Sequence, residues 1–165
     1  MQVQAQDQLL QVAKQYLLAK QYEKAAATYK QLLDYSPKDK DLQNAYMQSV
    51  MGMGDYKTAE KVVKQLLKQN PDDARMNYTL SKVYKGLGEE KKSNKINQKI
   101  LDKLNANDLE IRATADLFEK DANWGMAIAT YEKGKTFWKE ASYLYAEELA
   151  LLFDKNGNSE KATES

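Results

Sequence analysis

The chain has 165 residues, with 25 basic and 24 acidic side chains and neither cysteine nor histidine. This composition excludes disulfides, metal sites built on cysteine or histidine, and catalysis by a cysteine nucleophile or a histidine base. The net charge of +1 argues against a nucleic-acid partner, because duplex binders carry a clustered basic excess. No run of about 18 apolar residues exists, so membrane insertion is not expected.

The first segment, MQVQAQDQ, bears on where the protein works. Val3-Gln4-Ala5 has the small residues that a signal peptidase requires, and Gln6 would begin the mature chain. The basic and apolar regions of a signal peptide are missing. Two interpretations stay open: a periplasmic or otherwise exported protein, and a cytoplasmic one. Residues 1–5 are predicted to be an N-terminal remnant or tail.

From residue 19 onward the sequence repeats itself. With Tyr22 placed on Tyr56, an offset of 34 positions, AKQYEKAAATYKQLLDYSPKD aligns with MGDYKTAEKVVKQLLKQNPDD. A fixed period of this order is the signature of stacked repeats. Three columns keep this register along the chain, with a last step of 35 positions: two of small or medium residues and one of mostly aromatic residues. They are Ala25, Ala59, Ser93, Ala127 and Ala162; Ala13, Met47, Ser81, Ala115 and Ala150; and Tyr16, Val50, Tyr84, Phe118 and Phe153.

Each repeat unit is predicted to form two helices joined by a short turn. In both halves of the first unit, apolar residues recur with the spacing of an amphipathic helix. Gly54 and Gly88 can end first helices in the left-handed conformation, and Pro37 and Pro71 end second helices. The predicted helices cover residues 7–19, 22–35, 40–53, 56–69, 74–87, 90–104, 108–120, 124–136 and 142–154.

The small columns have a physical reason. Two helices joined by a short turn cross closely, and a large side chain at the crossing would hold them apart. Ala59 is therefore predicted to lie in the helix crossing of the second unit. Gly134 stands where the first unit has Leu32, and we expect it to weaken the second helix of the fourth unit by about 1 kcal/mol relative to alanine.

The last segment, residues 143–165, opens a fifth unit that is incomplete. The sequence predicts a turn at residues 156–158, after which Ala162 takes the small column. The helix that would cover the apolar residues of this unit is missing, and an uncovered apolar face is exposed to water or to other chains. We therefore expect the chain to be the N-terminal region of a larger protein, and by itself either to self-associate through residues 142–162 or to fray there.

This pattern resembles the tetratricopeptide repeat family. The 34-residue period, the small–aromatic pairs, the alanine column and Pro37 and Pro71 match its signature over about four repeats plus the start of a fifth. The resemblance implies an all-α fold, a right-handed α-solenoid of stacked antiparallel helix pairs. It also implies a single domain over residues 6–165, with units near 6–39, 40–73, 74–107, 108–142 and 143–165.

In this family the first helices line a concave groove that binds peptides or protein segments. The resemblance implies a non-catalytic protein–protein interaction scaffold with no cofactor and no metal. An arginine or lysine cluster around one aromatic platform suits an acidic or C-terminal segment, while an ordinary solvated face is the competing interpretation. The predicted peptide-binding residues are Lys14, Asn44, Gln48, Arg75, Tyr78, Lys82, Lys85 and Arg112.

A second class of function stays open. The chain could be an accessory region of a cell-envelope enzyme or of a glycan-handling protein, with carboxylates acting on a polymer. No paired carboxylates in a positioning context are recognisable, however, and no phosphate-binding loop of the GxxxxGK[ST] type occurs. The sequence therefore favours the interaction scaffold.

Overall fold

The structure is a computed structural model that describes residues 2–138 and 143–163. The described residues form helices and turns without any strand, which confirms the predicted all-α fold of helix pairs. Seven of the predicted helices start at the predicted residue and end within two residues of the predicted end. The helices are α1 (Gln2–Leu18), α2 (Tyr22–Tyr35), α3 (Lys40–Gly52), α4 (Tyr56–Leu67), α5 (Ala74–Gly86), α6 (Glu90–Asp102), α7 (Asp108–Glu119), α8 (Trp124–Lys135) and α9 (Ala146–Thr163).

The helix bounds differ from the prediction at both ends of the chain. α1 begins at Gln2 and not at residue 7, so residues 2–5 of the predicted remnant or tail are helical. α9 continues through Gly157, where the sequence predicts a turn. A single glycine costs a helix only about 1 kcal/mol, so it does not by itself end one. The side chain of Ala162 and the whole of Lys139, which replaces the repeat proline, lie outside the described residues.

The chain divides into two compact units. The first comprises Met1–Gln69 and Lys82–Glu90, and the second comprises Asn70–Ser81 and Lys91–Ser165. An apolar cluster in the first unit joins α1, α2 and the start of α3. The second unit has a larger cluster, contributed by α5 to α9. The buried members of the first cluster are Ala13, Ala25, Tyr29, Leu32 and Leu42.

The small columns are buried where the structure describes them within the first four units. Ala13, Ala25, Ala59 and Ala127 have no exposed surface, which confirms the predicted position of Ala59 in the packed interior. In the third unit both small positions are serines, and their hydroxyls lie 2.9 Å apart, close enough to share a hydrogen bond. The serines therefore satisfy each other in a buried position, which explains why polar residues are tolerated there.

Four turns repeat the same backbone conformation at 34-residue intervals. Gly54 and Gly88 have φ of 74°, as the sequence predicts for glycine at these turns. Lys20 and Ala122 occupy the equivalent positions with φ of 55° and 54°. The turn geometry is therefore imposed by the helix pair, since two units adopt it with side chains that disfavour it.

Close contacts between consecutive helix pairs explain two further glycines. A Cβ added at Gly52 would lie 2.5 Å from the ring of Tyr22, and one added at Gly86 would lie 2.4 Å from the ring of Tyr56. Each tyrosine opens a second helix and packs on the end of the next first helix. Tyr22 and Tyr56, which the repeat aligns with each other, thus have glycine partners that the sequence analysis missed, although these glycines follow the same repeat period.

Gly134 serves packing in the same way. A Cβ at this position would lie 3.0 Å from side-chain atoms of both Ile111 and Tyr145. α8 continues to Lys135 despite the glycine. Glycine at position 134 is expected to lower helix propensity, but it also leaves room for the neighbouring side chains. The sequence alone did not indicate this close approach.

No helix among the described residues is both long enough and apolar enough to cross a membrane.

Replacing Ala59 by leucine is expected to lower the free energy of unfolding by about 1–3 kcal/mol, because the larger side chain overpacks a fully buried site. Lys57→Leu, on an exposed position of the same helix, should change it by less than about 0.5 kcal/mol. Urea denaturation measures both. The reverse ranking would show that the repeat register is wrong.

Replacing Ala122 by glycine is expected to raise the free energy of unfolding. The left-handed conformation costs alanine about 1–2 kcal/mol, and glycine avoids this cost. The greater freedom of glycine in the unfolded chain cancels about 0.4–1 kcal/mol of the gain. Ala27→Gly, on an exposed helical position, should instead lower stability by about 1 kcal/mol. Equal losses in the two variants would contradict the assigned backbone strain.

Candidate peptide-binding surface

The packing of each helix pair decides which residues of the first helix lie outside the packed face. Ala13, Met47 and Ser81 are buried in the small column. The residue that follows each of them is rotated by about 100° around the helix and leaves the packed face. Lys14 and Gln48 are exposed at these positions, and Lys82 is half-exposed.

The first compact unit contains five of the predicted binding residues. Lys14, Gln48 and Lys85 are exposed, while Asn44 and Lys82 are half-buried. They lie on α1, α3 and α5, the three first helices that contribute to this unit. Three cations and two amides form this set, which carries hydrogen-bond donors suited to carboxylate and carbonyl oxygens.

Tyr78 is not an exposed aromatic platform. Its side chain is only 6% exposed, and its ring meets that of Phe118 edge-on, with centroids 4.7 Å apart and planes at 71°. Burial raises the pKa of Tyr78 to about 12, although a hydrogen bond with Asn123 acts in the opposite direction. The prediction for Tyr78 fails because α7 supplies an aromatic partner, whereas Arg75, one turn earlier, lies largely open to solvent.

Arg112 is not available as an open cation either. Its Nε lies 3.1 Å from both carboxylate oxygens of Asp108, one turn earlier in α7. Its Nη1 donates to Glu148 in α9, and its guanidinium lies 5.1 Å from the ring centroid of Tyr145. The hydroxyl of Tyr145 donates to Asp108 at 2.8 Å. The sequence predicts that Arg112 binds an external carboxylate, but Asp108 and Glu148 of the chain already bind its guanidinium.

The electrostatics of this ionic cluster follow from its hydrogen bonds. The Tyr145 hydroxyl and then the Arg112 guanidinium hold the pKa of Asp108 below its usual value. Hydrogen bonding from Arg112 likewise lowers the pKa of Glu148. Burial and the neighbouring Asp108 raise the pKa of Tyr145, so the tyrosine stays protonated as a donor. The cluster carries one positive and two negative charges, and it links α7 to α9.

A cleft in the second compact unit was missed by the sequence analysis. It has a volume of about 300 Å³ and lies among the turn before α5, the end of α6 and the start of α7. Lys99 Nζ donates to the Pro71 carbonyl at 2.8 Å and contacts Asn77 Oδ1 at 3.3 Å, and Lys103 pairs with Asp72 at 3.3 Å. These polar contacts hold the turn in place. The two lysines that line the cleft therefore already have partners within the chain.

The described residues offer no group of three or more carboxylates that could hold a metal ion. Two carboxylates flank Arg112, but both are held in their ionised form near neutral pH. A general acid must keep its proton at the working pH. The arrangement therefore suits structural ion pairing, and it suits proton transfer poorly.

Comparisons with known proteins agree with the fold. The tetratricopeptide repeat family model matches residues 16–83. A structure of MamA from Desulfovibrio magneticus RS-1 is 18% identical and covers 83% of this chain and 77% of its own, with a TM-score of 0.52. A TPR protein of Thermus thermophilus is 19% identical, with coverage of 88% and 79% and a TM-score of 0.53. No curated protein sequence matches the chain. At these identities the likeness concerns the fold alone.

The ionic cluster is expected to make stability depend on pH. Because the folded pKa values of Asp108 and Glu148 lie below their unfolded values, the cluster stabilises the fold above about pH 5 and loses this contribution as the pH falls below about 4. Arg112→Gln should flatten this part of the stability curve, measured by urea denaturation between about pH 3 and 7. Arg75→Gln, at an arginine outside the cluster, should leave the curve unchanged. A variant at Arg112 that keeps the full acid dependence would contradict this assignment.

Proposed function

We propose, from the match of residues 16–83 to the tetratricopeptide repeat family model, that the chain is a non-catalytic scaffold that binds an acidic segment of another protein. The binding residues lie on the first helices of the first compact unit. We call this set the first-helix surface; it comprises Lys14, Asn44, Gln48, Lys82 and Lys85.

One observation supports this proposal. Helix pairing covers the small and aromatic columns but leaves the first-helix surface accessible. Ala13, Met47 and Ser81 are buried, and the next residue in each helix is exposed or half-exposed. The five residues of the first-helix surface contain three cations and no carboxylate. An acidic segment in an extended conformation offers carboxylate and backbone carbonyl acceptors to the ammonium and amide donors.

The expected strength follows from the exposure of these side chains. An ion pair between exposed groups contributes only about 0–1 kcal/mol, so no single lysine can carry the affinity. Several contacts acting together must supply it, and charges at this exposure are screened within about 8 Å at physiological salt. Binding should therefore be moderate and should weaken as salt is raised.

The enzymatic alternative has less support. An accessory region that acts on a glycan needs a carboxylic acid that stays protonated and a second carboxylate that stays ionised. Asp108 and Glu148 are both held ionised by Arg112, and each has a structural hydrogen-bond partner. No described feature favours acid–base chemistry over binding.

Selection of peptides tests the proposed function. A displayed library of short random peptides is enriched on the purified chain, and the best peptide is then titrated by fluorescence anisotropy. We expect enrichment of aspartate and glutamate. The double variant Lys14→Glu, Lys85→Glu should bind the peptide at least about tenfold more weakly, because two exposed cations become repulsive.

The matched control is Lys57→Glu, Lys61→Glu, which makes the same change in net charge on exposed positions of α4. It should bind almost as well as the unaltered chain, and both variants should keep the melting temperature. Enrichment of neutral or basic peptides would contradict an acidic partner. Equal losses in the two double variants would show that net charge, and not the first-helix surface, determines binding.

A further inference from the structure

The cleft at the start of α7 opens where the fourth unit departs from the repeat pattern. Glu110 stands in the column of Leu42 and Met76, which are both buried. Thr114 stands in the column of Leu80, which is also buried. Two polar side chains on α7 thus replace buried apolar ones, and both line the cleft of about 300 Å³. Departures from the pattern that builds a fold are expected at functional sites.

Thr114 has hydrogen-bonding capacity that the chain leaves unused. Its side chain lines the cleft and is only 3% exposed. The buried hydroxyls of Thr79 and Thr130 each donate to the carbonyl four residues earlier, at 3.0 and 2.8 Å. Within the part of the chain that the structure describes, the hydroxyl of Thr114 has no hydrogen-bond partner. Because nearly all buried polar groups are hydrogen-bonded, this hydroxyl indicates a partner from outside the chain.

The walls of the cleft offer a donor on one side and acceptors on the other. Lys99 on α6 gives two of its three N–H donors to acceptors of the chain, at 2.8 and 3.3 Å, and keeps the third. On α7, the carboxylate of Glu110 has a single contact among the described side chains, with Asn105 Nδ2 at 3.5 Å. This distance is at the limit of a hydrogen bond, so most of the accepting capacity of the carboxylate remains.

The ion pair between Lys103 and Asp72, which both line the cleft, is open to exchange. The paired atoms lie 3.3 Å apart, and both side chains are more than half exposed. A pair in this setting contributes little to stability, because water weakens the attraction and two mobile side chains are held in one geometry. A carboxylate that enters the cleft therefore replaces Asp72 as the partner of Lys103 at small cost.

A ligand that satisfies all of these groups carries one negative and one positive charge. We propose that the cleft binds a small zwitterion of the size of a dipeptide. Its carboxylate contacts Lys99 and Lys103, and its ammonium group contacts Glu110. Its apolar side chain covers Ile100 and Leu104, which also line the cleft.

Size and charge make the cleft selective. A volume of about 300 Å³ is at the small end of ligand sites, so a longer peptide does not fit, and the peptide carbonyl accepts from Thr114. A simple anion would meet the like charge of Glu110, and a simple cation would meet that of Lys99, so both are disfavoured. At the binding efficiency usual for larger ligands, a dipeptide of about 14 non-hydrogen atoms binds with a Kd of about 1 mM.

A titration of the isotope-labelled whole chain with alanyl-leucine, followed by two-dimensional NMR, tests the proposal. Amide signals at the end of α6 and the start of α7 should shift and give a Kd of about 1 mM. The N-acetylated dipeptide lacks the ammonium group, and the C-terminal amide lacks the carboxylate. Each should bind at least about threefold more weakly, because a charged group of the cleft loses its partner.

Variants of the chain separate the cleft from the net charge. Glu110→Gln should weaken binding as much as N-acetylation does, and the two changes together should cost no more than either alone. Asp102→Asn makes the same charge change at an exposed position of α6 outside the cleft, and it should leave binding unchanged. Thr114→Leu, which introduces the residue type of the third unit, should fill the cleft and abolish binding. Thr114→Val removes only the hydroxyl and should weaken binding. All variants should keep their helical circular dichroism.

A dipeptide that shifts no signal of the cleft would overturn the proposal, as would undiminished binding of either blocked form. Equal losses in Glu110→Gln and Asp102→Asn would overturn it too, because net charge, and not the cleft, would then determine binding. The cleft is independent of the first-helix surface. The double variant Lys14→Glu, Lys85→Glu should therefore leave dipeptide binding unchanged, so the two proposals can fail separately.

Discussion

Each helix pair depends on a close crossing at which small side chains predominate. Ala13 and Ala25 are both fully buried in the first unit, one from each helix of the pair, and Ala115 and Ala127 repeat this in the fourth. At interior packing density, one added methylene group is felt by the surrounding side chains. The close crossing brings the aromatic column into contact with the neighbouring helix, and it requires a turn too short for ordinary backbone angles. The left-handed turn residues follow from this constraint, even where the residue has a side chain.

The contacts between successive pairs use another close approach. Tyr22 and Tyr56 lie directly on Gly52 and Gly86, so an aromatic ring replaces the side chain that the glycine lacks. Gly134 provides a similar space for side chains of the second compact unit. Glycine thus has two roles in this chain: it permits a backbone conformation at some positions, and it permits close packing at others.

The functional argument follows from the same packing. Because one face of every first helix is consumed by its partner helix, the polar residues on the other face are presented to solvent. Arg112 departs from this rule, since Asp108 and Glu148 neutralise it. α9 departs in the other direction, since Phe153 is exposed although its column is otherwise buried or half-buried. Its three lysines supply all the positive charge of the first-helix surface.

The sequence by itself determined the helix pairs, most of their bounds, the left-handed turns at Gly54 and Gly88 and the burial of Ala59. All of these rest on signals that are local or recur with the repeat period, because helix periodicity, helix-ending residues and the small column act within one unit. The position of Lys14 outside the packed face follows from the same local signals. Whether the first-helix surface binds an acidic segment remains a prediction.

Only the tertiary structure decided the burial and pairing of residues whose partners lie in other units. Tyr78 is buried by Phe118 on the first helix of the next unit, and Arg112 is paired with Glu148, also one unit later. No local pattern encodes these contacts, since they depend on which side chains two packed helices bring together. The continuous α9 is the remaining case. Its glycine resembles those of the turns, but Gly157 lies inside a helix that runs from Ala146 to Thr163.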